Sequence, residues 1–453
     1  MAQSREMTSG PSLPLILNFT FPLLLGNLLQ QTYSLVDAAI VGKFLGINAL
    51  ASVGASTSVV FLILGFCNGC CGGFGIPVAQ KFGARDYVTM RRYVSVSLKL
   101  AAVMSVAVAI VTSLLCGFIL RSMRTPENIF EGAYAYLLVT FIGIPCTFFY
   151  NLLSSIIRAL GDSKTPFYFL VLATVLNIIL DLFCILVLGW GVMGAAFATS
   201  LSCLAGAAVA MGYLLFYARD TRLHSLRPGR KKILFFFHDI GMQCKIGSSA
   251  LLGELTMAIL LFIGNHVFMR HLGDDGVGAF GVSCYYLPFV FMIGNAIAQS
   301  AQPIISYNFG TGSTERVRSA LRVSVFAALV CGVISTAAFI LFPELLVGLF
   351  LRIDNTAARI AIEGFPYYGT GFIFFILNLS IIGYYQSMEQ VKPAITFAVL
   401  RGLVFLVPCF MALPAIMGVK GIWLALPLSE ILTTLVIVVT FWIYSRQRAI
   451  ICR

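Results

Sequence analysis

Long apolar stretches without a single charge limit this chain more than any other feature. Four of them contain no Asp, Glu, Lys or Arg, namely residues 45–80, 132–157, 276–314 and 364–388. A membrane-spanning helix needs about 20 such residues, because the hydrocarbon core is about 30 Å thick and a helix rises about 1.5 Å per residue. Only 11% of the 453 residues are charged, against roughly 25% in a soluble domain. The sequence therefore predicts an all-α polytopic membrane protein.

The apolar pattern predicts twelve spans, and the basic residues predict their orientation. Lys and Arg concentrate in alternate connections, most densely between residues 219 and 239. Positive loops remain in the cytoplasm, so both termini are expected there, in a multi-pass protein of the plasma membrane. The net charge of +12 then reflects topology rather than nucleic-acid binding. The expected spans are near 13–41, 50–79, 93–120, 133–157, 166–188, 192–217, 246–269, 277–306, 323–342, 365–386, 393–416 and 421–444.

One shift of 227 positions aligns the first half of the chain with the second. It pairs Leu45-Gly46 with Leu272-Gly273, and it holds without an insertion over about 150 residues. Further identical pairs are Gly54 and Gly281, Ser56 and Ser283, Phe82-Gly83 and Phe309-Gly310, Arg91 and Arg318, Asn151 and Asn378, Pro166 and Pro393, Gly191 and Gly418, and Gly194 and Gly421. Shared Gly, Pro, Asn and Arg carry more weight here than Leu or Val, which coincide often in an apolar chain.

Six spans fit in each repeat, and an even number makes both repeats cross the membrane in the same direction. Parallel repeats of this kind are one of the two symmetry types of secondary transporters. The sequence therefore predicts two six-helix bundles around a central cleft. The expected division is residues 1–218 for the first bundle, 219–240 for a cytoplasmic linker and 241–453 for the second. The basic linker is also a candidate binding site for anionic lipid heads.

Four acidic residues lie inside the predicted spans: Asp37, Asp181, Glu254 and Glu430. A charge near the bilayer centre costs at least about 2.5 kcal/mol, so each is a functional candidate. The 227-residue shift places no acid at the positions equivalent to any of them. The two halves have therefore diverged chemically, and cation coupling is expected mainly in the first. Glu430 is expected to pack helices or to pair with Arg401.

Two polar stripes favour a meeting of Asp37 and Asp181. Asn27, Gln30, Ser34 and Asp37 share one face of the first span, and Thr174, Asn177 and Asp181 share one face of the fifth. Removal from water penalises a charged carboxylate, so such a pair is suited to taking up and releasing a cation. The alternative is a permanently protonated Asp that only ties helices together.

Other polar groups are candidates for lining the cleft. Asn295, Gln299 and Gln302 form a stripe on the eighth span, and Asn151 lies in the fourth. The many aromatic and Met side chains offer surface to amphipathic cations. Cys67, Cys70 and Cys71 form a CxxCC cluster, which is expected to pack rather than to bind a metal, because no His lies near it in sequence.

Several function classes lack their motifs in this sequence. There is no GxxxxGK[ST] phosphate loop, and no soluble segment large enough for an ATPase. No HExxH or GxSxG pattern of a hydrolytic enzyme occurs either. A non-enzymatic transporter driven by an ion gradient and without a cofactor is therefore expected.

Two stretches resemble the multidrug and toxic compound extrusion (MATE) family. Residues 21–54, FPLLLGNLLQQTYSLVDAAIVGKFLGINALASVG, are similar to its first helix and the following loop. Residues 158–166, RALGDSKTP, with 176–181, LNIILD, are similar to its cytoplasmic turn and fifth helix. The resemblance covers essentially the full length. It implies twelve helices in two six-helix lobes and an antiporter, a functional monomer, that exports organic cations, drugs or metabolites in exchange for H⁺ or Na⁺.

The family's roles carry over to a cation-responsive cluster in the first lobe, formed by Asp37, Asn177 and Asp181 with Thr199 beside them. Glu254 is similar to an acidic position on the seventh helix of some members. The tenth span departs from members that have an acid there, which favours the first-lobe site. A flippase for lipid-linked precursors is the alternative. It would need several Lys or Arg to hold pyrophosphate, and the predicted spans contain only Lys99 and Arg401.

Overall fold

The computed structural model describes residues 12–123, 125–216 and 233–451, and these are almost entirely helical. The first half contains α1 (Ser12–Leu45), α2 (Ile47–Gly83), α3 (Tyr87–Ser122), α4 (Glu127–Ile142), α5 (Ile144–Ala159), α6 (Lys164–Leu182) and α7 (Gly191–Phe216). The second contains α8 (Ile233–Gly310), α9 (Thr314–Leu341), α10 (Pro343–Gly348), α11 (Thr356–Gly369), α12 (Phe372–Ser387), α13 (Val391–Val399), α14 (Leu406–Met417) and α15 (Val419–Ile451). Two π-helical segments, Phe183–Val187 and Leu400–Val404, follow α6 and α13.

The described residues contain helices for the expected twelve spans: nine single stretches, two bent pairs and α1. Nine helical stretches of the described residues are long and apolar enough to cross a membrane, and the bent pairs α4–α5 and α11–α12 add two more. The 34 residues of α1 extend about 51 Å at about 1.5 Å per residue, which exceeds the bilayer core of about 30 Å. The long α8 supplies two spans, because its backbone breaks at Gly273 with φ 63° and ψ −151°.

The two halves repeat each other in structure as well as in sequence. Helix starts at Tyr87 and Thr314 are 227 positions apart, as are those at Lys164 and Val391. The break between α4 and α5 bends the chain by 46°, and the equivalent break between α11 and α12 bends it by 48°. The internal repeat predicted from sequence is therefore confirmed.

The fourth predicted span, 133–157, differs from the observed structure. It is a bent pair that meets at Gly143. Pro145, at the start of α5, has no N–H to donate to the preceding turn, so the helix cannot continue unbroken. A side chain at position 143 would also overlap the hydroxyl of Ser200. The bend therefore has both a backbone and a packing cause.

The chain forms two compact units. Unit 1 comprises 1–251 with 303–317, and unit 2 comprises 252–302 with 318–453. Phe74, Phe141 and Phe148 are fully buried in unit 1. Unit 2 has an aromatic core in which the ring of Phe268 packs at 4.7 Å from both Phe280 and Trp423. The predicted boundaries at 218 and 241 stay a prediction, because most of the linker lies outside the described residues.

Candidate functional site

Asp37 and Asp181 meet inside unit 1. Asp37 lies on α1 and is 8% exposed, and Asp181 lies near the end of α6 and is fully buried. The two carboxyl groups lie close enough to interact with each other. Two carboxylates at such a distance repel each other when both are ionised, so a proton or a cation shared between them is favoured. The structure thus brings together the two acids of the polar stripes, and their role in coupling stays a prediction.

Asn177 and Thr199 connect the acid pair to α7. When the amide nitrogen of Asn177 faces the carboxylate, it donates to Asp181 Oδ2 over 3.1 Å, and its oxygen accepts from the N–H of Thr199 over 3.2 Å. The hydroxyl of Thr199 donates to the carbonyl of Ala195 over 3.1 Å. Both predicted residues thus lie around Asp181.

Two tyrosines belong to this cluster although sequence reasoning did not select them. The Tyr33 hydroxyl lies 3.1 Å from the Thr199 hydroxyl, and Tyr33 precedes Asp37 by one helical turn. Tyr136 on α4 lies close enough to both carboxyl groups to interact electrostatically. The spacing of Tyr33 from Asp37 was the available signal, whereas Tyr136 has no sequence pattern that separates it from other apolar-span tyrosines.

The acid pair retains unused capacity to bind a cation. The Oδ1 atoms of Asp37 and Asp181 are both buried without a hydrogen-bond partner in the described structure. An unsatisfied buried oxygen costs about 1–3 kcal/mol, so a proton or a cation that bonds to it is favoured. Only Leu182 separates Asp181 from the π-helical segment at 183–187. Such segments are frequent at functional sites.

Glu254 and Asn295 form a second polar contact, within unit 2. They lie on the two arms of α8, the helical stretches before and after the break at Gly273. Asn295 Nδ2 donates to Glu254 Oε1 over 3.2 Å. Both side chains are partly exposed. The structure thus gives Glu254 a neutral amide partner rather than a counter-ion.

The remaining cleft candidates occupy varied surroundings. Asn27 and Gln299 are partly exposed, as is Gln302, and Gln30 is exposed. Asn151 donates to the carbonyl of Thr147 in its own helix over 3.0 Å. The side chain of Ser34 lies outside the described residues. Their role in lining a cleft stays a prediction.

The cysteine cluster packs as expected. Cys67, Cys70 and Cys71 are buried free thiols, and Cys71 donates to the carbonyl of Phe148 over 3.5 Å. Among the described residues, no group of three or more His, Cys, Asp or Glu side chains has a metal-binding arrangement.

The fold and the site together define a class: a polytopic α-helical membrane protein of two parallel repeats with buried acids. The family model MatE matches residues 22–183 and again 250–411, two segments of equal length. This double match coincides with the internal repeat.

Several named proteins are similar to this chain. The probable multidrug resistance protein YpnP of Bacillus subtilis (strain 168) is 30% identical over 317 residues, covering 69% of this chain and 68% of YpnP. The probable multidrug resistance protein YoeA of the same strain is 28% identical over 353 residues, covering 75% of this chain and 73% of YoeA. The multidrug export protein MepA of Staphylococcus aureus (strain NCTC 8325 / PS 47) is 22% identical over 437 residues, covering 94% of this chain and 92% of MepA.

Solved structures share the fold. An outward-facing conformation of a multidrug resistance MATE family transporter of the MOP superfamily superposes with a TM-score of 0.87 at 23% identity, covering 99% of this chain and 98% of that one. A MOP superfamily transporter from Pyrococcus furiosus Vc1, described as having a binding pocket of reverse polarity, gives 0.86 at 22% identity with the same coverage. The chain belongs to the MATE family of membrane transporters.

Proposed function

We propose that this transporter is a secondary active exporter whose coupling ion, H⁺ or Na⁺, binds at Asp37 and Asp181. The observation that carries the proposal is the contact between two buried carboxyl groups, each with an unpartnered oxygen. Asn177 and Thr199 orient Asp181, and Glu254 is a second coupling group. A proton needs one such oxygen. Sodium needs several oxygen ligands, and this cluster contains carboxyl, amide and hydroxyl oxygens.

The exported substrate is proposed to be a small amphipathic cation, such as a drug or a metabolite. The similar Bacillus and Staphylococcus proteins are named for multidrug resistance or multidrug export. The 38 Phe and 17 Tyr supply aromatic faces that attract organic cations. Parallel repeats favour transport by alternating access, in which one half rocks against the other. We propose a monomer in the plasma membrane with both termini in the cytoplasm.

The lipid-linked precursor flippase gains no support from the basic residues of the spans. Of the two expected there, Arg401 is held by Glu430 with an Nε–Oε1 distance of 2.6 Å. A guanidinium neutralised by a carboxylate is a poor ligand for pyrophosphate, since the bound anion would have to displace its partner. Drug export is therefore the function that the structure supports best.

Efflux from liposomes tests the proposal. Export of a fluorescent organic cation by purified protein would be measured under a pH gradient and under a sodium gradient separately. Asp37→Asn and Asp181→Asn each remove one ionisable carboxyl with almost no change in shape. Export driven by one gradient is expected to fall in both variants to the leak of protein-free liposomes.

Glu127→Gln is the matched control, because it makes the same acid-to-amide change at an exposed position. It is expected to export like the wild type. Gradient-driven export that survives in both folded Asp variants would overturn the coupling role. Wild-type protein that exports under neither gradient would instead support the flippase.

A further inference from the structure

Unit 2 contains a charge pair that the proposed function does not use. Arg401 lies in the π-helical segment Leu400–Val404, and Glu430 lies on α15. Their Nε and Oε1 atoms are 2.6 Å apart, and each side chain is 1% exposed. A buried charge left without its partner costs about 3–5 kcal/mol, so each residue requires the other.

Neighbouring side chains complete the pair. Asn378 Nδ2 donates to Glu430 Oε2 over 2.7 Å, and the Thr434 hydroxyl donates to Asn378 Oδ1 over 2.8 Å. The guanidinium carbon of Arg401 lies 4.0 Å from the ring centroid of Phe375, a cation–π distance. The pair therefore joins α12, α15 and the π-helical segment.

The internal repeat shows that the fold does not require these charges. The positions equivalent to Arg401 and Glu430 in unit 1 are Thr174 and Cys203, both uncharged. Conversely, Asp37 and Asp181 of unit 1 have no acidic equivalents in unit 2, where Gly264 and Pro408 occupy those positions. A costly buried pair that one repeat omits serves something particular to the other repeat.

Both arms of α8 contact residues that adjoin this pair. Gly402, next to Arg401, lies so close to Thr256 that a side chain at position 402 would overlap the Thr256 hydroxyl, and Thr256 lies two residues after Glu254. On the other arm, the ring of Phe291 packs 6.4 Å from that of Phe375, one helical turn before Asn295. The arms that carry Glu254 and Asn295 thus contact the same centre.

We propose that the Arg401–Glu430 pair is a positioning centre that sets the spacing between the two arms of α8. It thereby holds Glu254 in hydrogen-bond reach of Asn295. Arg401 and Glu430 act through these helices and exchange no ion themselves. The inference rests on the proposed function for the role of Glu254 in coupling, but its geometric part is measurable without transport.

Infrared spectroscopy of the full-length protein in liposomes tests the inference. The C=O stretch of protonated Glu254, identified by its loss in Glu254→Gln, reports the hydrogen bond from Asn295. Asn295→Ala gives the position of this band without the donor. The double variant R401M/E430Q removes both charges together, so that no unpaired charge remains. Its Glu254 band is expected to move toward that of Asn295→Ala, and its export to fall roughly 10- to 100-fold, as for outer-shell partners of functional groups.

Tyr286→Phe is the matched control, because it removes a different hydrogen bond of unit 2, from Tyr286 to the carbonyl of Leu346. It is expected to leave the band in place. A wild-type band in folded R401M/E430Q would overturn the inference. If that variant does not fold, Phe375→Leu is used instead, because it removes only the ring that contacts Arg401 and Phe291. An unmoved Glu254 band in Phe375→Leu would also overturn the inference. Normal export by Glu254→Gln would remove the coupling role while the band test still decides the positioning role.

Discussion

The Asp37–Asp181 contact combines features that sequence and structure reveal separately. Each acid alone in an apolar span is a functional candidate, and the polar stripes on α1 and α6 predicted that the two would face each other. The contact adds that they share one site, with one oxygen of each left unpartnered. Two carboxyl groups in such contact cannot both be ionised without strong repulsion. Their occupancy by a proton or a cation is therefore a property of the pair.

Asn177 is the residue whose removal should weaken this site most selectively. Asn177→Ala deletes the donor to Asp181 Oδ2 and is expected to lower the free energy of unfolding by about 1–3 kcal/mol, the cost of leaving a buried polar group without its hydrogen bond. Chemical denaturation in mixed micelles measures the loss. In the Asp181→Asn background the same change should cost less, because the carboxyl acceptor of this hydrogen bond is gone.

Thr140→Val is the control for this double-mutant comparison. Among the described contacts, Thr140 donates only to the carbonyl of Tyr136 in its own helix. Its cost should be the same in both backgrounds. Additive effects of Asn177→Ala and Asp181→Asn within about 0.5 kcal/mol would show that the two residues are not coupled.

At this scale, sequence identified the groups and missed their surroundings. Asp37, Asn177, Asp181 and Thr199 were all named and all meet. Tyr33 and Tyr136 were not. The spacing of Tyr33, one helical turn before Asp37, was an available signal, whereas Tyr136 is one of 17 Tyr and has no distinguishing pattern. The pairing of Glu254 with Asn295 was also missed, since it depends on how two arms of α8 pack across the break at Gly273.

Helix boundaries follow local chemistry closely where a connection is short. The turn between α2 and α3 ends at Asp86, whose side chain accepts from the N–H of Thr89 over 3.1 Å and caps α3. Hydrogen bonds from the Thr89 hydroxyl and N–H hold the pKa of Asp86 below its usual value. By contrast, hydropathy alone does not mark the bend at Gly143, because the run of apolar residues continues through it.

Asp86→Ala is expected to destabilise the protein by about 1 kcal/mol, the usual cost of losing an N-cap. The thermal unfolding midpoint in detergent measures it, with Asp86→Asn as the control that retains an acceptor at the cap. Because the folded pKa is depressed, the charge contributes stability above the unfolded pKa, and this is lost as pH falls through the folded pKa. The difference between wild type and Asp86→Ala should therefore shrink on acidification. An equal difference at all pH values would contradict the ionic part of the cap.

The repeat is the feature of the whole molecule that sequence predicted most fully. A constant shift of 227 fixed which helices correspond, and the structure repeats the helix starts and the two bends of 46° and 48°. What sequence could not supply is the assignment of chain to compact units. Residues 303–317, from the second half, group with unit 1, which depends on contacts between distant segments rather than on any local pattern.

Parallel repeats of six spans place equivalent positions on the same side of the membrane, and single cysteines can verify this. Asn48 and Asp275 are equivalent and exposed, as are Ala84 and Thr311, one helix further along. In a background without the native cysteines, a membrane-impermeant maleimide applied to intact cells is expected to label N48C and D275C. It should label A84C and T311C only after permeabilisation, because those turns adjoin the basic residues that remain in the cytoplasm. Inverted repeats would instead put the two members of each pair on opposite sides. Labelling of A84C and T311C from outside, with N48C and D275C protected, would retain the parallel repeat and reverse the proposed orientation of the termini.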